Sequence, residues 1–265
     1  MVNSFSIKKY AYISDKGPIL EVNEDDVEID LKNEIFMVLD GFGGSEAGVK
    51  AVKTIKETIS QFYTKVVEDP DSTLPFFYNP QYLIEGNALV NAFHKAHEAV
   101  INQNKGRSLS QMGGASVSAG VLSGRVLTIV SIGNCSVVVI RNNNIQFVSH
   151  PESYDFFNGE ITNKFLANFT LNGLGLFKLP SLSVKEFFIE EDDKIIFLSD
   201  GAYNRLSLSE MKNIFCYSKL NEKEKINRVF SIANGRGNQD NQTCMLLEFW
   251  LTILFSPNNN LICYY

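Results

Sequence analysis

The chain has little positive charge. Its 265 residues carry 24 lysines and arginines against 30 aspartates and glutamates, a net charge of −6 at pH 7. No basic cluster offsets that balance, which argues against a nucleic-acid binder. Cysteine is scarce and scattered: Cys135, Cys216, Cys244 and Cys263 show no Cys-x-x-Cys spacing. They read as reduced thiols of a reducing, cytoplasmic compartment, not as a zinc site or a disulfide frame. The segment Met1-Val2-Asn3-Ser4-Phe5-Ser6 has no apolar core of signal-peptide length, which leaves export without a classical signal as the other reading. Long apolar runs are missing too. A membrane span needs ~20 such residues; the nearest approach, Met245 to Phe255, is short and broken by Glu248 and Thr252. No internal repeat and no dividing linker is visible.

What the chain does have is a sequence of short apolar segments with changing period. Val27, Ile29 and Leu31 alternate with acids, as in a half-buried strand, and Ile35 to Leu39 reads as a strand buried on both faces. Val52, Ile55, Ile59, Phe62 and Val66 follow the spacing of one helix face, with Ser45 as N-cap and Glu46 in the first turn. Pro70, Pro75 and Pro80 mark a loop. A second helix carries Leu89, Phe93, Ala96, Val100 and Ile101 on one face, and residues 106–114 form another loop. Ala115 to Leu122, Val126 to Ile132, Ser136 to Ile140 and Ile145 to Val148 read as antiparallel strands separated by Gly and Asn turns. Ile195 to Leu198 is a buried strand after an Asp192-Asp193 turn. Ser207-Leu208-Ser209-Glu210 is a capping box opening a helix through Ile214 and Phe215. A further helix carries Ile226, Val229, Phe230 and Ala233, and Thr243 to Phe249 is a last strand. This order predicts an α+β fold with a sheet-rich core and helices outside. A domain over 1–249 is expected, with 250–265 as an extension that could add an edge strand or dock a partner.

Acids flank the buried strands: Glu24 and Asp25 before one, Asp40 after one, Asp200 after one and Asp240 before one. Loops are polar, so a single such acid means little. Asp40 and Asp200 differ, because each follows a strand that looks buried on both faces and is itself followed by glycine. Hard cations such as Mg2+ and Mn2+ prefer oxygen ligands of this kind. Two of them ~4 Å apart lower the pKa of a shared water and clamp a phosphoryl group.

Five stretches then carry a resemblance. They are Ser14-Asp15-Lys16-Gly17 to Asn23-Glu24-Asp25; Phe36 to Gly44, with Asp40-Gly41-Phe42-Gly43-Gly44; Met112-Gly113 to Gly133; Phe197-Leu198-Ser199-Asp200-Gly201; and Asp240-Asn241-Gln242-Thr243. In order and spacing the chain resembles the metal-dependent Ser/Thr protein phosphatases of the type 2C, or PPM, class, from about residue 8 to residue 249. The resemblance implies an antiparallel β-sandwich flanked by pairs of α-helices. It also implies two Mn2+ or Mg2+ ions per chain and a water that attacks phosphoserine or phosphothreonine of a protein substrate directly. Carried over by position, Asp40 bridges the metals, Asp200 and Asp240 serve the first, and Glu24 with the Gly41 carbonyl serves the second. Asp25 and Asn241 support them.

Three departures matter. Phe42 stands where the family has a histidine thought to protonate the leaving alkoxide, a role worth ~10²–10⁴-fold. Leu20 stands where an arginine grips the phosphate. Asn134, in Gly133-Asn134-Cys135-Ser136, stands where an Asp often helps hold a third, looser metal. The retained acids hold metal; the lost groups handle substrate. Weak phosphatase activity is therefore expected, with a pseudophosphatase that binds metal or a phosphoprotein as the alternative. Lys16 and Arg205 are read as ordinary surface charges rather than replacements for the arginine, and Phe42 as a packing residue. His94 and His97 are read as surface or groove residues rather than a metal pair, and His150 as unrelated to the missing acid. Gly113 and Gly114 are read as permitting close backbone packing. A calcium loop is excluded, since the acids lack Asp-x-Asp-x-Asp-Gly spacing.

Overall fold

The computed structural model describes residues 2–69, 71–152 and 171–254. In chain order its elements are β1 (Val2–Asp15), β2 (Asp25–Asp30), β3 (Ile35–Phe42), α1 (Ser45–Glu68), α2 (Ile84–Asn104), β4 (Gly114–Ser123), β5 (Val126–Ile132), β6 (Ser136–Arg141), β7 (Asn144–Ser149), β8 (Ser183–Phe188), β9 (Lys194–Leu198), α3 (Asp200–Tyr203), α4 (Leu208–Lys212), α5 (Glu222–Gly235) and β10 (Gln242–Leu254). A 3-10 turn, Leu109–Gln111, precedes β4, and a π-helical turn, Asn213–Tyr217, follows α4.

The strands form two five-stranded sheets, ordered β1-β10-β9-β6-β7 and β2-β3-β4-β5-β8, and every strand pairing is antiparallel. Strand alternation between two covered faces explains why β3 is apolar from Ile35 to Leu39. Ile35, Met37 and Leu39 face α1 and α2, while Phe36 and Val38 face the second sheet. On β9 and β10, Ile195, Phe197, Met245 and Leu247 fill the space between the sheets. Ile196, Leu198 and Leu246 instead pack on the α3–α5 layer. The result is the expected antiparallel sandwich with helices outside, in four layers. Truncating Phe197, fully buried between the sheets, would cost roughly 3–5 kcal/mol.

Several local readings change. Helix α1 begins at Ser45, but Gly44 holds the N-cap position and no side chain caps it. Along α1, Tyr63 is fully buried while Phe62 only packs against the core. The Ser207–Glu210 capping box forms as expected, yet α4 ends at Lys212 and passes into the π turn instead of continuing as one helix. Strand β10 runs through residue 249 to Leu254, pairing with β1 from Val2 to Asp15. The boundary expected at 249 thus lies inside a strand; residues 255–265 lie outside the described residues. Two strands, β1 and β8, have no counterpart among the sequence patterns. In β1 the cause is a bulge between Ile7 and Lys9. Phe5 and Ile7 face the sandwich, whereas Ala11 and Ile13, of the same parity, face the helix layer.

Candidate metal centre

Strand alternation that sends Phe36 and Val38 between the sheets sends Asp40 there too, at the mouth of the sandwich. Asp25 lies directly opposite Asp40 in the β2–β3 register. From the other sheet, β9 ends at Leu198 and Asp200 opens α3, while Asp240 and Asn241 immediately precede β10. Four strand ends from two sheets thus bring Asp25, Asp40, Asp200 and Asp240 within electrostatic reach of one another.

Burial and like charge set the chemistry of these groups. The Asp40 carboxyl is held well above the usual carboxylate range, first by burial and then by Asp200, Asp25 and Asp240. Asp200 is raised in the same way, by burial and then by Asp240 and Asp25. Asp25 is pushed up to about 7, chiefly by burial, with the hydroxyls of Ser199 and Thr243 acting against the shift. Its Oδ2 is buried without a hydrogen-bond partner. Carboxylates that raise one another's pKa are short of positive charge.

Neighbouring side chains hold the acids in place. Asn241 accepts a hydrogen bond from the Glu24 backbone N–H at 2.8 Å, and its own N–H donates to Asp240 Oδ1 at 2.9 Å. Its Nδ2 donates to the carbonyls of Lys16 and Val22, at 2.9 and 3.0 Å, which fixes the loop before β2. The Glu24 side chain lies over Gly48 of α1, where any Cβ would collide with its carboxylate. A Cβ on Gly41 would strike the Glu24 carbonyl and the Val52 side chain, so glycine is required for β3 to pass there. Asn134, itself buried, donates from Nδ2 to Asp200 Oδ2 at 2.9 Å, and its carbonyl accepts from the Tyr203 hydroxyl at 2.7 Å. Ser199 and Thr243 stand inside the quoted motifs with no role given to them, and Tyr203 stands outside the motifs. Period two from Phe197 and Met245 would have placed the first two facing the sandwich, and Tyr203 follows Asp200 by one helical turn.

The substrate side looks different. The Phe42 ring lies against Gly114 and Gly173, in a space that a Cβ on either glycine would fill. Leu20 is exposed in the 16–24 loop, with Ile19 and Val22 exposed beside it. Lys16 and Arg205 show their backbone carbonyls engaged, by Asn241 and Arg236 respectively. The histidines stand apart from the acids. His94 stacks on Phe76; His97 is buried and its Nδ1 accepts from the Gly175 N–H; His150 stacks on Phe147. Burial of His97 departs from the expected surface or groove position. Cys135 is buried near the acids, its thiol pushed well up by burial and by their charge, so it is protonated and unreactive. Cys135, Cys216 and Cys244 are all free thiols; Cys263 lies outside the described residues. Gly113 and Gly114 do permit close packing: a Cβ on either would strike backbone, of Ala47 or Leu174, and Gly43 packs in the same way on Met112.

Among the described residues no three His, Cys, Asp or Glu side chains are drawn into a finished metal cage. The donor set still fits hard divalent cations: it is all carboxylate oxygen, mutually repelling, and includes one orphaned buried acceptor on Asp25. Among the described residues no helix is long and apolar enough to cross a membrane.

Comparison with known proteins bears on the fold and the family. No curated protein matches the sequence. Solved structures match over nearly the whole chain. PppA, described as a key regulatory component of T6SS in Pseudomonas aeruginosa, superposes with a TM-score of 0.77 at 20% identity, covering 94% of this chain and 100% of its own. The catalytic domain of the serine/threonine protein phosphatase PstP, solved with two manganese ions, gives 0.70 at 20% identity, covering 94% and 99%. The serine/threonine phosphatase Stp1 from Staphylococcus aureus gives 0.74 at 17% identity, covering 91% and 94%. At such identities these likenesses speak for the fold. The family model for protein phosphatase 2C matches residues 21–240, from the loop before Glu24 to Asp240 itself, and the chain therefore belongs to the protein phosphatase 2C family.

Proposed function

We propose that this chain hydrolyses phosphoserine or phosphothreonine in a protein substrate, using two Mn2+ or Mg2+ ions. The observation that carries the reading is the meeting of Asp25, Asp40, Asp200 and Asp240 at one end of the sandwich, where burial and then the neighbouring carboxylates make Asp25, Asp40 and Asp200 costly to ionise. On this reading Asp40 would serve both ions, Asp200 and Asp240 would hold the first, and Glu24 with the Gly41 carbonyl would hold the second. When bound, such a pair supplies charge neutralisation and a water acidic enough to be deprotonated near neutral pH.

The chain's own residues prepare that chemistry. Asn241 couples Glu24 to Asp240 through backbone and side-chain bonds. Asn134 donates to one oxygen of Asp200 and so helps to orient its carboxyl. Asp25 anchors the β2 end to the hydroxyls of the facing sheet. Phe42 shields the Gly114 and Gly173 backbone but brings no proton for a leaving alkoxide, so good leaving groups are favoured.

Purified protein with Mn2+ should release phosphate from p-nitrophenyl phosphate and from a phosphothreonine peptide, and the Asp40→Asn variant should not. Equal silence of both proteins at high enzyme concentration would overturn the proposal. The seating of Phe42 on two glycines favours one competing reading, a pseudophosphatase that binds metal or a phosphoprotein without turnover. Calorimetric titration with Mn2+ beside the turnover assay separates them: tight binding without hydrolysis selects the binding module. The PstP domain holds two manganese ions, which supports the choice of metal, and a cytoplasmic phosphoprotein is the corresponding partner.

A further inference from the structure

A cleft of about 430 Å3 opens beside the Asp40 loop. Its floor is Gly43 and Gly44, one wall is the start of α1 with Lys50, and the other is the segment carrying Arg107 and Ser110. Lys50 and Arg107 bring two cationic side chains to one cleft, and among the described residues neither forms an ion pair. Arg107 is half-buried, and its planar fork of donors suits a carboxylate or a phosphate. Its one side-chain bond is long, 3.4 Å from Nη1 to the Gln111 carbonyl, which leaves most of its donor fork unused. Glu46 also lines the cleft, but it lies beyond ion-pair distance of both cations.

The walls are fixed. Buried Asn104, at the end of α2, donates to the carbonyls of Gly113 and Gly175 and accepts from the Gly113 N–H. The Arg107 N–H bonds back to the Asn104 carbonyl at 3.1 Å. Gly113 in turn packs on the Ala47 backbone of α1. The two cations are thus carried on a braced frame that shares its glycine floor with the Asp40 loop.

We propose that this cleft is a subsite for a second anionic side chain of the substrate, an acidic residue or a second phosphate close to the phosphoserine or phosphothreonine. The inference rests on the phosphatase reading of the neighbouring centre. It gives the substrate side the cationic contact that Leu20 does not offer, displaced from the scissile phosphate onto its neighbour.

Three fluorescent peptides, each with one phosphothreonine, test it. They differ in the flanking position, which holds alanine, aspartate or phosphoserine. Anisotropy with the full chain and Mn2+ should show the two anionic peptides binding about tenfold more tightly than the alanine peptide. The gain should shrink as ionic strength rises. It should vanish in the Lys50→Ala/Arg107→Ala variant, while Mn2+ affinity and turnover of p-nitrophenyl phosphate stay as in wild type. An advantage of the phosphoserine peptide alone would identify a second phosphate as the ligand; equal gains would identify any anion. Equal binding of all three peptides, or a gain that survives the double variant, overturns the subsite. Failure of the phosphatase reading shows separately, as absence of p-nitrophenyl phosphate turnover in wild type.

Discussion

The floor of the centre and its rim are built on opposite rules. The floor is four strand ends with buried or half-buried, polar carboxylates, held by Asn241, Asn134, Ser199 and Thr243. The rim has apolar side chains instead: Leu20 and its neighbours, exposed on a loop, and Phe42, at the end of β3, half-buried against glycine. Rigid strand ends preserve a carboxylate geometry at little cost, while loops exchange side chains freely. On the proposed reading, holding metal and handling substrate would therefore be separable in this chain.

The largest effect should come from the floor. Asp40→Asn should lower phosphate release by at least ~10²-fold with the fold intact by circular dichroism; a smaller loss would move the centre elsewhere. Next comes the rim. Phe42→His should raise turnover of an alkyl phosphate by up to ~10²-fold, and that of p-nitrophenyl phosphate far less, since the aryl leaving group needs little protonation. Equal gains on both substrates would sink the lost-acid argument. Asn241→Ala, which cuts the tie between Glu24 and Asp240, should weaken Mn2+ binding by ~10–100-fold in calorimetry; unchanged affinity would mean the tie is only structural. The smallest effect is on stability. Asp25 titrates near 7 in the fold and near the ordinary carboxylate value when unfolded. Asp40 and Asp200 are raised in the same direction. The stability these protons give is complete below the ordinary carboxylate range and is lost as pH rises through about 7. Without metal, Tm should fall between about pH 5 and pH 8, and saturating Mn2+ should flatten the slope. A metal-free Tm that rises over that window would contradict the clustering.

Much of this was legible beforehand, for physical reasons. The β3 run is apolar on every residue because it is covered on both faces, and such a run ending in Asp-Gly is hard to misplace. The α1 stripe follows a period of 3.6 because that helix has one buried side; in α2 residues 86–93 are all buried, and one-sided burial sets in only after Phe93. Strand β1 escaped because its bulge reverses facing at Lys8, so no single alternation runs its length. Strand β8 escaped because it is an edge strand with no fully buried residue. In the site, the acids stood out by their places beside strands. Their holders did not: a hydroxyl or an amide in a strand has no signature until the facing sheet is known. The burial of Arg141-paired Asp193 was hidden in the same way, since its partner lies 52 residues away.

Strand β10 is last in the chain but second in its sheet, between β1 and β9. Asp240 and Asn241 arrive with it, and Asn241 closes on Glu24 across 217 residues of sequence. Contacts of that separation form slowly. On the ribosome, the emerging polypeptide would carry Asp25 and Asp40 for most of its synthesis without being able to assemble the centre. On the proposed reading, the centre would be complete only once β10 has paired between β1 and β9.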